Sequence, residues 1–429
     1  MLAGNGLFCP LLGFASCAVF IYMTLGDLKF FFREPKMEFV RRNGTQFVEG
    51  GKEFYVNGWN SYWLMDQAVE EYSRPRVTKM LHAGAKMGLT VCRTWAFNDA
   101  GYNALQLKPG EFDERVFKAL DRVIAEARHH GIRLILCLVN NLHAYGGKAQ
   151  YVQWAWEEGS ASSRSNDSFF SDSSIRHHFK NYVKTMLTRR NRFTGVEYRN
   201  DPTIFAWELM NEPRCTTDPS GSSLQGWIKE MAEFVKSIDK NHLLTVGVEG
   251  FYSAATAKKF HVNPGDWASS LGTDFVENSR IAAIDFASVH TYPDSWFKRC
   301  PGLSFTEKMK FVSEWISSHI DDGDQDLKKP VLFAEFGLSS KTDNFQPGHR
   351  YQYYKRVYDL LYEAAKATRS GAGAMPWQFL VDDMDEYGDA FAIVPWRIPS
   401  IYKLITRQSC RLAAIRHGKS SSKLLAECP

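Results

Sequence analysis

Two short segments carry side chains able to break a covalent bond: Trp207-Glu208-Leu209-Met210-Asn211-Glu212-Pro213 and Phe333-Ala334-Glu335-Phe336-Gly337. Each is an apolar run that ends in a carboxylate and then a turn residue. A buried strand that delivers a glutamate to its open end has this form. Two carboxyl groups facing one glycosidic bond can cleave it, one as proton donor and the other as nucleophile. Asn-Glu-Pro is a more specific signal than a lone glutamate. Taken singly, each glutamate would be a surface charge at a strand end.

Such side chains need a scaffold. From residue 54 onward, apolar strand-like runs alternate with amphipathic helical stretches. Strands are expected over 54–64, 89–97, 133–141, 204–212, 243–251, 286–293, 331–338 and 372–379. Most are apolar on both faces, as in parallel strands covered by helices. Helical patterns over 76–87 and 113–130 stop at Gly88 and Gly131. Others follow over 174–192, 224–239, 273–283, 305–320, 350–368 and 401–416. Eight such alternations predict a single (β/α)8 TIM barrel, class α/β. A doubly wound open sheet is the alternative, but no Gly-rich dinucleotide turn supports it.

Active sites of such barrels lie at the C-terminal ends of the strands. Alternation along a strand then tests which side chains meet. Glu208, Met210 and Glu212 share a face, as do Val331, Phe333 and Glu335. Val91, Arg93 and Trp95 form a third set, Ser288, His290 and Tyr292 a fourth, Met375 and Trp377 a fifth. All five are expected to point inward at one mouth. Asn211 is out of phase and must reach the site through the geometry of the strand end. The loop over 142–173 carries Tyr145, Tyr151, Trp154 and Trp156, which could wall a groove or anchor the loop.

Composition sets bounds. A net charge of +4, from 52 Lys+Arg against 48 Asp+Glu, does not suggest a nucleic-acid binder. An aromatic fraction of 14% suits a groove where sugar rings stack, although a large core also consumes such side chains. Residues 7–25 carry no charge. They could be a secretory signal or an uncleaved anchor, so residues 1–36 are expected to lie outside the fold, with a catalytic domain over 37–417 and a tail over 418–429. The basic stretch over 397–423 reads as a solvated helix face. Cys9 and Cys17 fall in the presequence, and Cys92 and Cys137 read as buried thiols. Cys215, Cys300, Cys410 and Cys428 could form disulfides in an oxidising compartment. Asn43-Gly44-Thr45 and Asn166-Asp167-Ser168 have the form of glycosylation acceptors.

Asn211-Glu212-Pro213 after the fourth strand and Glu335 after the seventh resemble the clan A glycoside hydrolases. With Arg93, His290, Tyr292 and Trp377 the set resembles glycoside hydrolase family 5. The segments Cys92-Arg93-Thr94-Trp95-Ala96-Phe97-Asn98, Gly272-Thr273-Asp274-Phe275 and Ser288-Val289-His290-Thr291-Tyr292-Pro293 are similar to those of plant endo-β-1,4-mannanases. So is Leu332-Phe333-Ala334-Glu335-Phe336-Gly337, and the resemblance runs from about residue 38 to 406.

It implies a retaining enzyme that hydrolyses internal β-1,4 bonds of mannan, galactomannan and glucomannan, with transfer to acceptor sugars as a side path. Glu212 would be the acid/base and Glu335 the nucleophile. Arg93 and Tyr292 would donate to Glu335, and Asn211 would bond the sugar 2-hydroxyl. His290 would hold the network near Glu212, Trp377 would floor the cleaved subsite, and Trp95 would touch a neighbouring sugar. Burial and a nearby negative charge should raise Glu212, while Arg93 should hold Glu335 low. Glu208 reads as structural; Glu249, Asn98 and Asn141 are weaker subsite candidates. No metal or organic cofactor is implied. The setting implied is extracellular, in the cell wall. A β-1,4-glucanase, a silent polysaccharide-binding protein and a membrane-anchored transferase remain as alternatives.

Overall fold

Apolar side chains on both faces commit eight segments to the centre of the molecule. The computed structural model describes residues 35–297, 303–342, 345–416 and 418. The expectations for residues 7–25, for Cys9, Cys17, Cys300 and Cys428, and for residues 419–429 lie outside these. Everything below concerns the unit of residues 37–429.

The strands are β1 (Val56–Asn60), β2 (Val91–Trp95), β3 (Arg133–Cys137), β4 (Ile204–Asn211), β5 (Leu243–Gly247), β6 (Ala287–Thr291), β7 (Val331–Phe336) and β8 (Gly371–Pro376). All their pairings are parallel, in the order β5-β4-β3-β2-β1-β8-β7-β6. The β5–β6 seam closes through Asp285 N–H to Leu244 O (2.8 Å), His290 N–H to Glu249 O (3.0 Å) and Thr245 Oγ1 to Phe286 O (2.8 Å).

Eight helices cover the barrel: α1 (Arg74–Lys86), α2 (Glu114–His129), α3 (Ser173–Thr188), α4 (Ser222–Ile238), α5 (Phe275–Arg280), α6 (Phe305–Asp322), α7 (Pro347–Lys366) and α8 (Pro399–Arg416). Each occupies the interval where the sequence placed it. α1 ends before Gly88 (φ +71°) and α2 before Gly131 (φ +70°), so both glycines take the left-handed stop conformation. Asp113 caps α2 and Ser304 with Glu307 forms a capping box on α6.

Two layers of core result. Inside the barrel, Val91, Ile135, Phe205, Phe286, Leu332 and Met375 pack together. An antiparallel meander (Arg41–Asn43, Gln46–Glu49, Lys52–Glu53) closes one end, where Phe47 meets Phe205 at 5.1 Å and Phe286 at 5.2 Å between ring centroids. The second layer lies between strands and helices.

Three expectations need correction. Met210 and Phe333 belong to the layer between strands and helices, not to the barrel interior, where Leu332 and Ala334 sit instead. The 142–173 segment is not a bare loop, since it contains a helix over Gly147–Glu157. Tyr151 and Trp154 are buried anchors in it, and Trp156 is 40% exposed outside the cleft with the Arg164 guanidinium 4.4 Å from its ring. Cys215 is a free buried thiol, as are Cys92 and Cys137, while Cys410 is disulfide-bonded. No helix among the described residues is long and apolar enough to cross a membrane.

Candidate active site

Strict alternation would aim Asn211 away from the site and Glu335 along with Val331 and Phe333. Two irregularities change this. Between Thr245↔Glu208 and Gly247↔Asn211 the register gains one residue on β4, so Glu208 and Asn211 both turn inward. Between Val289↔Phe333 and His290↔Glu335 it gains one on β7, which brings Glu335 opposite His290. Glu212, just past β4, adopts φ +48°, a conformation rare for a side chain of its size. Its N–H is held by Gly247 O at 2.8 Å.

Arg93 is the hub. Its side chain is fully buried, and its guanidinium uses every nitrogen. Nε and Nη2 donate to Glu208 at 2.8 and 2.6 Å, Nη2 also to Asn211 Oδ1 at 2.7 Å, and Nη1 to Asn60 Oδ1 at 3.0 Å and Glu335 Oε1 at 2.6 Å. Burial opposes its charge, but Glu208 and Glu335 more than compensate and keep it protonated. Glu208 is therefore structural, as expected. It aims the arginine that aims both Asn211 and Glu335.

The second oxygen of Glu335 accepts from Tyr292 Oη at 2.5 Å. Burial, followed by the Glu335 charge, raises the phenol well above its usual range, so it remains a donor. Glu212 Oε1 lies 2.8 Å from His290 Nδ1, and Glu335 Oε2 lies 3.5 Å from the same nitrogen. His290 is buried and its affinity for a second proton is lowered, chiefly by that burial. Its Nε2 has no hydrogen-bond partner among the described residues. A single proton on Nδ1, donated to Glu212, satisfies this arrangement and leaves Oε2 of Glu212 to carry the acid proton.

Burial raises the Glu212 carboxyl, against the pull of Arg214 and Arg93. It raises Glu335 as well, against His290, Arg93 and the Tyr292 hydrogen bond. The expectation that Arg93, with Tyr292 as second donor, would hold Glu335 low is thus corrected: burial outweighs them and acts on both glutamates. What separates them is the donor set, with Arg93 and Tyr292 on Glu335 and only His290 on Glu212. The nearest oxygens of the two carboxyl groups and His290 Nδ1 all lie within 4.8 Å of one another. Among the described residues no other cluster could gather three metal ligands so closely. Here both oxygens of Glu335 are already spent on Arg93 and Tyr292.

A family model described as GH family 5 beta-mannosidase-like matches residues 37–382. The chain belongs to glycoside hydrolase family 5. Mannan endo-1,4-beta-mannosidase 2 of Arabidopsis thaliana is 62% identical over 431 residues, 99% of each chain. Mannan endo-1,4-beta-mannosidase 2 of Oryza sativa subsp. japonica is 54% identical over 440 residues, covering 99% of this chain and 98% of its own. Among solved structures, the endo-beta-1,4-mannanase from Thermotoga petrophila superposes with a TM-score of 0.71 at 33% identity, over 86% of this chain and 78% of its own.

The family 5 barrel opens into a cleft of about 890 Å³ around these residues. Trp95, Asn211, Glu212, Tyr292, Glu335 and Trp377 all line it. Trp377 is half-buried and stacks on Tyr62 (5.8 Å between centroids, 13° between planes), and Trp95 lies 5.8 Å from Trp377 and 6.2 Å from Tyr62, so the three rings form one cluster. The Arg93 guanidinium lies 5.0 Å from the Trp95 ring. Of the aromatics named in the 142–173 segment only Tyr145 reaches the cleft wall. Glu249 does line the cleft, in a two-pronged pair with Arg214 at 2.7 and 2.7 Å. Burial and the neighbouring Glu212 push Glu249 up to about 7 against that pull. Asn141 accepts from Arg214 N–H at 3.3 Å, whereas Asn98 is spent on the carbonyls of Tyr102 and Asn103 away from the site.

Sequence reasoning missed Asn60, Tyr62, Asn140, Arg214, Trp267 and Asp389. Arg214 was within reach, two residues after Glu212, and Asn60 ends a strand at the correct barrel face. Tyr62 and Asp389 enter on loops, where no periodicity marks them.

Proposed function

We propose that the chain is a retaining endo-β-1,4-mannanase. The observation that carries the reading is the closeness of Glu212 and Glu335. Nearest oxygens within 4.8 Å suit the short carboxyl separation of about 5–5.5 Å in retaining enzymes and leave no room for the intervening water of inverting ones. The curated relatives bear mannan endo-1,4-beta-mannosidase names over the whole chain length, which favours mannan over cellulose.

In the first step a Glu335 oxygen bonds the anomeric carbon while the bond to the leaving oxygen breaks and Glu212 Oε2 gives that oxygen its proton. Arg93 and Tyr292 hold Glu335 in line and Asn211 bonds the 2-hydroxyl. Trp377 supports the sugar ring from below and Trp95 its neighbour. In the second step Glu212, now ionised, takes a proton from a water whose oxygen attacks the anomeric carbon and releases Glu335. An acceptor sugar hydroxyl in place of water gives transfer. Residues 7–25 and the disulfide at Cys410 support secretory entry into the wall space.

The test is product analysis on mannan, glucomannan and cellulose, with Glu335→Ala as control. Internal cleavage of mannan that disappears in the variant is expected. Cleavage of cellulose alone, or inactivity of folded protein on all three polymers, would overturn the reading.

A further inference from the structure

Asp389 is an exposed carboxylate on the loop between β8 and α8. No cation among the described residues pairs with it, yet both its oxygens are engaged. Oδ2 accepts from Trp377 Nε1 at 2.7 Å and from Gln378 Nε2 at 3.3 Å. Oδ1 accepts from the N–H groups of Phe391 (2.8 Å) and Ala392 (2.9 Å). An exposed carboxylate with such partners adds little to stability, so its geometry needs another explanation.

Trp377 supplies that explanation. One face is held by stacking on Tyr62, with Trp95 packed at a tilt beside the same pair. Stacking resists tilting but permits sliding in the ring plane. The indole N–H is the ring's one directional polar handle. A charged acceptor at 2.7 Å fixes the remaining freedom. The turn that Asp389 makes with Phe391 also sets the Phe391 ring against Tyr292 (5.0 Å between centroids), and Tyr292 donates to Glu335. One loop carboxylate thus ties the floor of the cleft to a donor of the nucleophile.

We propose that Asp389 is a positioning residue that sets the in-plane orientation of Trp377 beneath the sugar undergoing cleavage. This deepens the mannanase reading and rests on it for its kinetic arm.

Asp389→Asn separates the two roles of the side chain. Its amide oxygen still accepts from Phe391 and Ala392, so the turn survives, while an NH2 group faces the indole N–H and the contact is lost. The expected result is a fall in kcat/KM on mannopentaose of about ten- to a hundredfold, carried mainly by kcat, with the unfolding midpoint unchanged. Trp377→Phe lacks the N–H, so adding Asp389→Asn to it should change kcat/KM less than about twofold. Near-UV circular dichroism supplies a readout independent of activity: Asp389→Asn should diminish the same indole band that Trp377→Phe removes. If wild-type protein did not cleave mannan, the functional reading would fall and the dichroism would still test the positioning. An equal penalty for Asp389→Asn in both backgrounds, no penalty at all, or an unchanged indole band would overturn the proposal.

Discussion

Arg93 offers the sharpest test of how the site works, because one buried cation serves two carboxylates with separate duties. Replacing it by Met keeps most of the volume and removes the charge with all five hydrogen bonds. Glu208 then stays buried without its partner, a defect that costs about 3–5 kcal/mol. Against a typical stability of about 5–15 kcal/mol the barrel should still fold, with a lower unfolding temperature. Glu335 loses a charge-assisted bond, worth about 1.5–3 kcal/mol, and Asn211 loses its guide at similar cost. Together these predict a fall in kcat/KM of about 10²–10⁴. The pH profile carries the diagnostic. Arg93 pulls the Glu335 pKa down against burial, so its removal must raise that pKa. The proposed mechanism needs ionised Glu335, so the acid limb of kcat/KM should move to higher pH. Arg93→Lys keeps the charge but not the fork on Glu208. It should lose activity while its acid limb stays nearer the wild-type position. The assay is initial-rate kinetics on mannopentaose between pH 3 and 8, with thermal unfolding alongside. An acid limb in Arg93→Met that coincides with wild type would refute the electrostatic account.

Other substitutions probe separate links. Glu212→Ala should lose about 10²–10⁴ in mannan hydrolysis but little in the first step on an aryl mannobioside, whose leaving group needs no proton, as burst kinetics would show. A Cβ at Gly247 would lie 2.7 Å from Glu208 Oε1 and 2.8 Å from Met210 O. Gly247→Ala should therefore displace the carboxylate that aims Arg93 and lower kcat by about a hundredfold without touching substrate; unchanged kcat would refute the relay. Lys148 is buried, pairs with Asp167 at 2.6 Å and donates to Arg214 O at 2.9 Å, pinning the chain just after Glu212. Lys148→Met should cost about 3–5 kcal/mol at pH 7. Asp167 is lowered below 3.8: burial raises it, but the Lys148 and Thr217 bonds outweigh that. Its contribution is therefore present above the unfolded pKa and lost as pH falls through the lower folded pKa, so calorimetry should find the gap from wild type narrowing as pH falls below about 4.

The barrel was legible because its signals are local and repeated. Most strands are apolar on both faces, the helices carry apolar stripes, and Gly88 and Gly131 mark stops by their conformation. The candidate site was legible where it sits on strand ends: Arg93, Asn211, Glu212, His290, Tyr292, Glu335 and Trp377 all meet at one mouth. What alternation could not show is where it breaks. The extra residues on β4 and β7 arise from how neighbouring strands align, and neither Met210 nor Phe333 announces in its own sequence that it faces outward. Loops hide more. Tyr145 and Tyr151 look alike in sequence, yet one walls the cleft and the other is buried against Phe169 and Phe179. Asp389 is one acid among several in a polar loop, and only folding places it against the edge of an indole.

On the proposed mechanism, the charges around the cleft explain how Glu212 would serve as acid and then base. Arg93 and Arg214 supply two positive charges, and Glu208, Glu335 and Glu249 supply carboxylates paired to them. His290 is kept neutral by burial. With Glu212 protonated, ionised Glu335 is the negative charge that faces the anomeric carbon, and Glu249, pushed up to about 7, is not needed to supply it. That charge opposes ionisation of Glu212 and favours the positive charge that builds on the sugar in the transition state. Once Glu335 becomes an ester its negative charge is gone, while Arg93 and Arg214 remain. The balance then favours the ionised form of Glu212, which is the form needed to take a proton from water. The switch requires no movement of Glu212 and no second titrating group, only that Glu335 be near enough to be felt. The separation of the two carboxyl groups and the sharing of Arg93 are therefore one requirement met twice, once by bond geometry and once by charge.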